Sequence, residues 1–375
     1  MLENSFKYQF TYYWRSIDKK ILFCFFILFF LGLFFSFSST SSLAGERLNK
    51  DYYFFFTKHL IFTFLAIIVM IIISVIKTEI FIKFVLPLFS ITFILLALVP
   101  IIGVEVKGAK RWIDFYYIKL QPIEILKPFF VLITVKVLTF EKFKNLKIKY
   151  LLAFLLLCSV SILLIGQPDL GQTILLTCTW VATIFVSGVS FTYILIFFLI
   201  LLSSLGSLLF FLPEKFGYII NRLVVFFDPS QGDKFQSSSA LDAIKLGGLT
   251  GQGMGEGILK DSVPEAHTDY VIAVISEEYG SVTSILILMI FLYISFRIIK
   301  NCFNQDNQFL KISLSGLAAL LIFQTFIHAG VNTNLLPTTG MTLPFLSYGG
   351  SSLIGSAILA GLVLNYTKNK AYLYD

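Results

Sequence analysis

Asp269 lies in the string Pro264-Glu265-Ala266-His267-Thr268-Asp269-Tyr270, where a polar stretch gives way to a long apolar run. A carboxylate at the edge of lipid is costly, so a functional explanation is called for. Partly desolvated, it is suited to take a proton from a hydroxyl group. His267 reads either as a loop histidine or as a group that orients Asp269, and Glu265 reads as solvated. A second constellation lies in Gly108-Ala-Lys110-Arg111-Trp-Ile113 and Gln121-Pro-Ile-Glu124-Ile-Leu-Lys127. Pro122 suits a first helical turn, which puts Glu124 and Lys127 on one face. The pair reads as an ion pair that fixes the helix. It also reads as a source of positive charge, with Lys110 and Arg111, for an anion. The two roles are compatible. Asp169, in Gly166-Gln-Pro-Asp-Leu-Gly171, sits where Pro and Gly break a helix, and a solvated turn aspartate explains it equally well.

Three further stretches surround these residues. Residues 334–352 carry no charge, two prolines and three glycines between apolar runs. Irregular backbone at that depth survives only when buried in protein or lining a cavity. The segment is expected to be a re-entrant element roofing a site, with Ser347, Tyr348 and backbone N–H groups as donors. Residues 213–269 form a long polar stretch holding Asn221-Arg222 and a glycine-rich run at 247–257. Those glycines lack the spacing and the βαβ context of a nucleotide fingerprint. A loop of this length is usually functional. Glu277 and Glu278 are adjacent and cannot share a helical face, and at least one of them is expected to cap an internal polar network.

The elements that must position these groups are membrane helices. Of 375 residues, 57% are hydrophobic, 14% are charged and 42 are Phe. Apolar runs long enough for a hydrocarbon core of about 30 Å recur along the chain. About ten spans are expected, at 21–37, 60–75, 80–102, 122–140, 150–165, 171–187, 191–212, 270–299, 310–331 and 348–366. The fold class is therefore an all-α polytopic membrane protein, with one long extracytoplasmic loop (213–269) between helices 7 and 8. A cytoplasmic segment, 1–20, precedes a single transmembrane domain, 21–366, and a cytoplasmic tail, 367–375, follows it. Residues 41–45 faintly resemble a signal-peptidase site, but the long polar start and the later spans favour a retained anchor.

With the N-terminus inside, Lys and Arg concentrate in the inner segments, most clearly at 141–149. The net charge of +7 thus reflects topology and not nucleic-acid binding. Cys24, Cys158, Cys178 and Cys302 suggest neither a disulfide framework nor a metal motif.

The strings "GAKRWIDF", "QPIEILKP", "QPDLGQTILL", "PEAHTDYVIAVISEEYG" and "LLPTTGMTLPFLSYGGSS" resemble the signatures of the SEDS family, the shape, elongation, division and sporulation proteins. The resemblance covers roughly residues 20–366. Ala266 and the 338–352 string are more similar to the division member than to the elongation member. The family implies a ten-helix peptidoglycan glycosyltransferase of the inner membrane that polymerises lipid II. Matched by motif, Asp269 stands at the family's essential aspartate, Glu124 and Lys127 at its charged pair, and Asp169 at its "QPDLG" aspartate. There are departures. Ile123 replaces a serine, Pro128 follows Lys127 and is expected to kink the helix, and Lys58-His59 stands where the family usually shows Arg-Gln.

Lipid II chemistry then assigns roles. Asp269 would deprotonate the acceptor sugar hydroxyl. Lys127, Lys110, Arg111 and Arg222 would neutralise the departing pyrophosphate. A divalent cation, Mg²⁺ or Mn²⁺, bridged by Asp269 or Asp169, would share that task, although no dedicated ligand motif is visible. The resemblance also implies a class B penicillin-binding transpeptidase of the FtsI-like type as partner, further division proteins, and placement at the septum. A lipid II flippase fits intramembrane charges and broken helices as well. Against it stand the absence of an inverted repeat and of a charged path through the inner half. A non-catalytic scaffold is the third reading.

Overall fold

The computed structural model describes residues 11–368, apart from 12, 40–52, 107, 117, 212, 229–234 and 260–261. The 41–45 stretch and most of both tails lie outside the described residues. The helices α1 (Lys19–Ser39), α2 (Phe54–Val75) and α3 (Thr78–Ile102) lead into a small sheet of β1 (Val104–Val106), β2 (Ala109–Asp114) and β3 (Lys119–Leu120). Then come α4 (Pro122–Leu138), α5 (Leu146–Gly166), α6 (Leu170–Val186), α7 (Phe191–Phe211), α8 (Pro213–Phe227) and α9 (Phe235–Gly247). The chain closes with α10 (Val271–Phe303), α11 (Gln308–Asn332) and α12 (Gly350–Tyr366).

A helix occupies each of the ten segments expected to be apolar spans. Six of them (α1, α2, α3, α5, α10 and α11) are long and apolar enough to cross a membrane, while α6 and α12 are shorter apolar helices. Their outward faces carry Phe, Ile and Leu, as lipid requires of a membrane protein. The interior is a main apolar core, to which α4, α11 and α12 contribute most of their residues, and a smaller separate cluster. All four cysteines are free.

Two features depart from an all-helical reading. The short antiparallel sheet, ordered β1-β2-β3, was not legible because its strands are only three, six and two residues long. The long 213–269 stretch contains two helices, α8 and α9, of which α8 is strongly amphipathic. The expected kink at Pro128 does not break α4, which runs through it. Pro128 has no N–H for the Glu124 carbonyl four residues back. Gly355 of α12 packs directly on that carbonyl, and a Cβ there would overlap it.

Helix α10 does break, at Gly280 (φ 85°, ψ 161°). The break frees backbone groups that lipid cannot satisfy, and the glycine-rich run supplies their partners. Gln252 N and Gly253 N donate to the carbonyls of Glu277 and Glu278 (2.8 and 3.0 Å), and Ser281 N donates to Gly248 O (2.9 Å). A Cβ on Gly280 would overlap Leu249 O. Gly280→Ala adds strain at a positive φ to that clash. It is expected to cost at least about 1–3 kcal/mol, read as a lower midpoint in thermal unfolding of the detergent-solubilised protein.

Candidate active site

The polar residues gather at the end of the bundle that carries the sheet and the 213–269 stretch. Strand β2 delivers Arg111 to the break between α5 and α6. Its Nε donates to Gln167 O (3.2 Å), and its Nη2 donates to Pro168 O. Asp169 caps α6, accepting from Gln172 N (3.4 Å) through Oδ1. Its Oδ2 accepts from Gln121 Nε2 (3.5 Å) and faces Arg111 Nε at 3.9 Å. Burial pushes the Asp169 carboxyl above its ordinary value, and Arg111 opposes that push. The turn aspartate is therefore a buried cap and not a solvated one.

Lys110, one residue earlier on β2, is exposed and faces Glu105 across the ladder. Alternation along a strand sends it away from Arg111, so the expected role of Lys110 at an anion site is not supported.

Glu124 and Lys127 form a closed, buried network. Their ion pair is 2.8 Å long and both side chains are 4% exposed. Gln172 Nε2 donates to the other Glu124 oxygen (2.7 Å), and Lys127 Nζ donates to Gln324 Oε1 (3.1 Å). Gln324 Nε2 donates to Thr342 O (3.0 Å). Only about 10 Å³ of space lies beside the pair. Of the two readings of Lys127, the geometry favours the structural one.

Asp269 is held by its backbone from two sides. Asn332, the last residue of α11, donates from Nδ2 to Asp269 O (3.0 Å) and accepts from Ala273 N (3.1 Å). Ser347 Oγ donates to Thr268 O (2.6 Å) and accepts from Leu343 N (2.8 Å). Tyr348 N donates to His267 O (2.9 Å). Ser347 and the Tyr348 amide, expected as donors to a bound group, thus clamp the aspartate's loop instead. The Tyr348 ring packs edge-on to Phe55, 5.4 Å between centroids, and His267 lies 5.9 Å from the same ring. Exposed Glu265 adopts φ 56°, and its carbonyl receives the amides of Thr268 and Asp269 (both 3.0 Å). Its work is to make the turn.

The two arms meet at Gly340. A Cβ there would stand 3.4 Å from Asp269 Oδ2 and 3.8 Å from Arg111 Nη1. Arg222, on α8, donates to Thr338 O (3.2 Å) and lies within the electrostatic reach of Arg111, Asp169 and Tyr270. It lines a cleft of about 280 Å³ together with Asn221, Gln236, Ser237, Asn334 and Thr338. A carboxylate and two guanidiniums therefore converge beside a polar cleft, an arrangement able to take a proton and to neutralise a developing anion. The residues do not form a metal cage. Among the described residues no three His, Cys, Asp or Glu side chains group closely enough to hold an ion, and both Asp169 oxygens have protein partners.

Sequence reading missed Gln324 and Asn332. They belong to a polar row, Gln324, His328 and Asn332, at i, i+4 and i+8 on an otherwise apolar helix. His328 Nδ1 donates to Met341 O (2.7 Å), so all three side chains grip the segments that build the site. That spacing on an apolar helix was the available signal.

The chain resembles proteins of one kind. A family model described as "Cell cycle protein", built on FtsW, RodA and SpoVE, matches residues 18–372. The probable peptidoglycan glycosyltransferase FtsW of Caulobacter vibrioides is 34% identical over 96% of this chain and 92% of its own length. That of Pasteurella multocida is 32% identical over 92% of this chain and 89% of its own. A solved chain described as "Structural coordination of polymerization and crosslinking by a peptidoglycan synthase complex" superposes with a TM-score of 0.78. It shares 25% identity and covers 96% of this chain and 99% of its own. The rod shape determining protein RodA of Thermus thermophilus shares the fold, with a TM-score of 0.69 at 24% identity over 94% of this chain and 97% of its own.

Lys127→Met strands the buried Glu124 charge and is expected to cost about 3–5 kcal/mol. The double variant Glu124→Gln/Lys127→Met is expected to recover most of that loss. Thermal unfolding of the three proteins reads the difference.

Proposed function

The chain belongs to the FtsW, RodA and SpoVE family of cell cycle proteins, and from that membership we propose that it is a peptidoglycan glycosyltransferase polymerising lipid II during division. The observation that carries the reading is the convergence of Asp269 and Arg111 on Gly340, with Arg222 bound to Thr338, two residues earlier, in the cleft. Lipid II is a lipid-linked disaccharide pentapeptide on a pyrophosphate. Growth of the strand requires a sugar 4-hydroxyl on one chain to attack the anomeric carbon of another.

In this reading the acceptor hydroxyl lies against Asp269, whose carboxylate takes its proton as the new C–O bond forms. The bond from the anomeric carbon to the pyrophosphate breaks, and the lipid pyrophosphate leaves with the electron pair. Arg111 and Arg222 meet its negative charge, and their forked donors suit phosphate oxygens. Both are fixed to backbone carbonyls before any substrate arrives, so little reorganisation accompanies charge development. Lys127 and Glu124 hold α4 against α6 and α11 beneath this site and do not touch substrate. No step runs through a metal ion.

The polar end of the bundle would then face outward, where lipid II is available, with both termini cytoplasmic and the protein at the septum. The chain has no large globular domain among its described residues. Its glycan product is useful only when cross-linked, so a membrane-anchored class B penicillin-binding transpeptidase is the partner this activity needs. The likeness to a chain of a peptidoglycan synthase complex supports that pairing.

Asp269→Ala and Asp269→Asn are expected to lower glycan polymerisation by purified protein about 10²–10⁴-fold, the usual worth of a general base, while yield and thermal midpoint hold. Polymer formation from lipid II, followed on gels, checks this, and near wild-type synthesis by Asp269→Ala overturns it. Lys127→Ala is expected to impair synthesis more than Lys142→Ala, because Lys142 is exposed between α4 and α5.

A further inference from the structure

Resting on Asp269 as the proton acceptor, we propose that Glu277 is the residue that positions it, through a closed ring of contacts on the short first half of α10. Glu277 lies two turns beyond Asp269 and is fully buried, as is its neighbour Glu278. Its carboxylate does not point into the cleft. Glu277 Oε1 accepts the backbone N–H of Leu259 at 2.7 Å, and its own carbonyl accepts Gln252 N at 2.8 Å. One residue thus fastens both ends of the 252–259 segment to the half-helix that Asp269 begins.

The ring closes through Leu259. Its carbonyl accepts the amides of Ser262 and Val263 (2.9 and 3.1 Å). Val263, Ala266, Tyr270, Ala273 and Val274 then form a small apolar cluster, with Leu259 packed against it, separate from the main core. Asp269 lies on this cluster between Ala266 and Tyr270. Because Gly280 breaks α10 directly after Tyr279, the half-helix is not aligned by the long membrane portion of its own helix. Asn332 holds its first turn through Ala273 N, and the glycine-rich run and Glu277 hold its far end.

A buried carboxylate is costly unless it is hydrogen-bonded. Here the Glu277 side-chain oxygen is the acceptor that sets where Leu259, and hence the aspartate's loop, must lie. A displacement of about 1 Å at a reacting group is enough to cost about 10²-fold in rate.

The test compares Glu277→Met, which keeps length and bulk but has no comparable acceptor, with Glu277→Gln, which keeps the acceptor oxygen. Glu256→Ala, an exposed carboxylate in the same run, serves as control, and Asp269→Ala as reference. Purified full-length proteins are given lipid II, and kcat, KM and the thermal midpoint are measured. Glu277→Met is expected to lose at least about tenfold in kcat with KM and the midpoint nearly unchanged. Glu277→Gln is expected to stay within about twofold of wild type, and Glu256→Ala to match it. Three results overturn the proposal: wild-type kcat in Glu277→Met, a loss in Glu277→Gln as large as that in Glu277→Met, or recovery of Glu277→Met only as aggregate. The last would give Glu277 to the fold alone. An active Asp269→Ala overturns the underlying reading, whereas an inactive Asp269→Ala beside an active Glu277→Met overturns only the role of Glu277.

Discussion

Inside a membrane no backbone polar group can turn to water, and each place where this bundle departs from a helix is built around that constraint. The α5–α6 break has its carbonyls of Gln167 and Pro168 met by Arg111. The irregular 334–349 segment has its carbonyls met by Gln324, His328 and Arg222. The break at Gly280 is met by the backbone of the glycine-rich run. These are also the places where charge collects. A helix end or break is where a membrane protein can hold polar chemistry, and the same side chains that repair the backbone become the walls of the site.

The two aspartates show how differently that setting can treat one residue type. Asp169 is fully enclosed, with each oxygen committed to a cap, an amide or a guanidinium. It fixes Arg111 relative to α6. Asp269 is only partly buried, and its carbonyl is held by Asn332. Glu124 and Lys127 resemble Asp169 in this respect. Their charges are real but enclosed, and their role is to join α4, α6 and α11 at a fixed distance below the cleft.

Much of the fold was legible because length and hydropathy decide where a membrane helix lies. The irregular backbone of 334–349 followed from prolines and glycines between apolar runs, and the expected role of Asp269 from its place at an apolar boundary. What escaped depends on partners far apart in sequence. That Arg111 faces the site and Lys110 does not is set by strand alternation within a sheet too short to announce itself. Ser347 looked like a donor to substrate because nothing in its neighbourhood shows that Thr268 will come to lie against it. The glycine run had no visible purpose until its partner, a broken helix beginning about 20 residues later, was in view. Pro128 suggested a kink, yet α4 continues through it, and Gly355, more than 200 residues away, leaves room for the Glu124 carbonyl.

The polar row on α11 has one further implication. Gln324, His328 and Asn332 span about 12 Å along the helix axis, and they reach in turn the ion pair, the carbonyl beside Gly340 and the carbonyl of Asp269. The helix works like a camshaft, with three lobes cut on one rod. If it turned by a single residue, about 100°, all three contacts would be lost together. The depth of the bundle and the loop at its mouth are therefore kept in phase by the rotational setting of one buried helix.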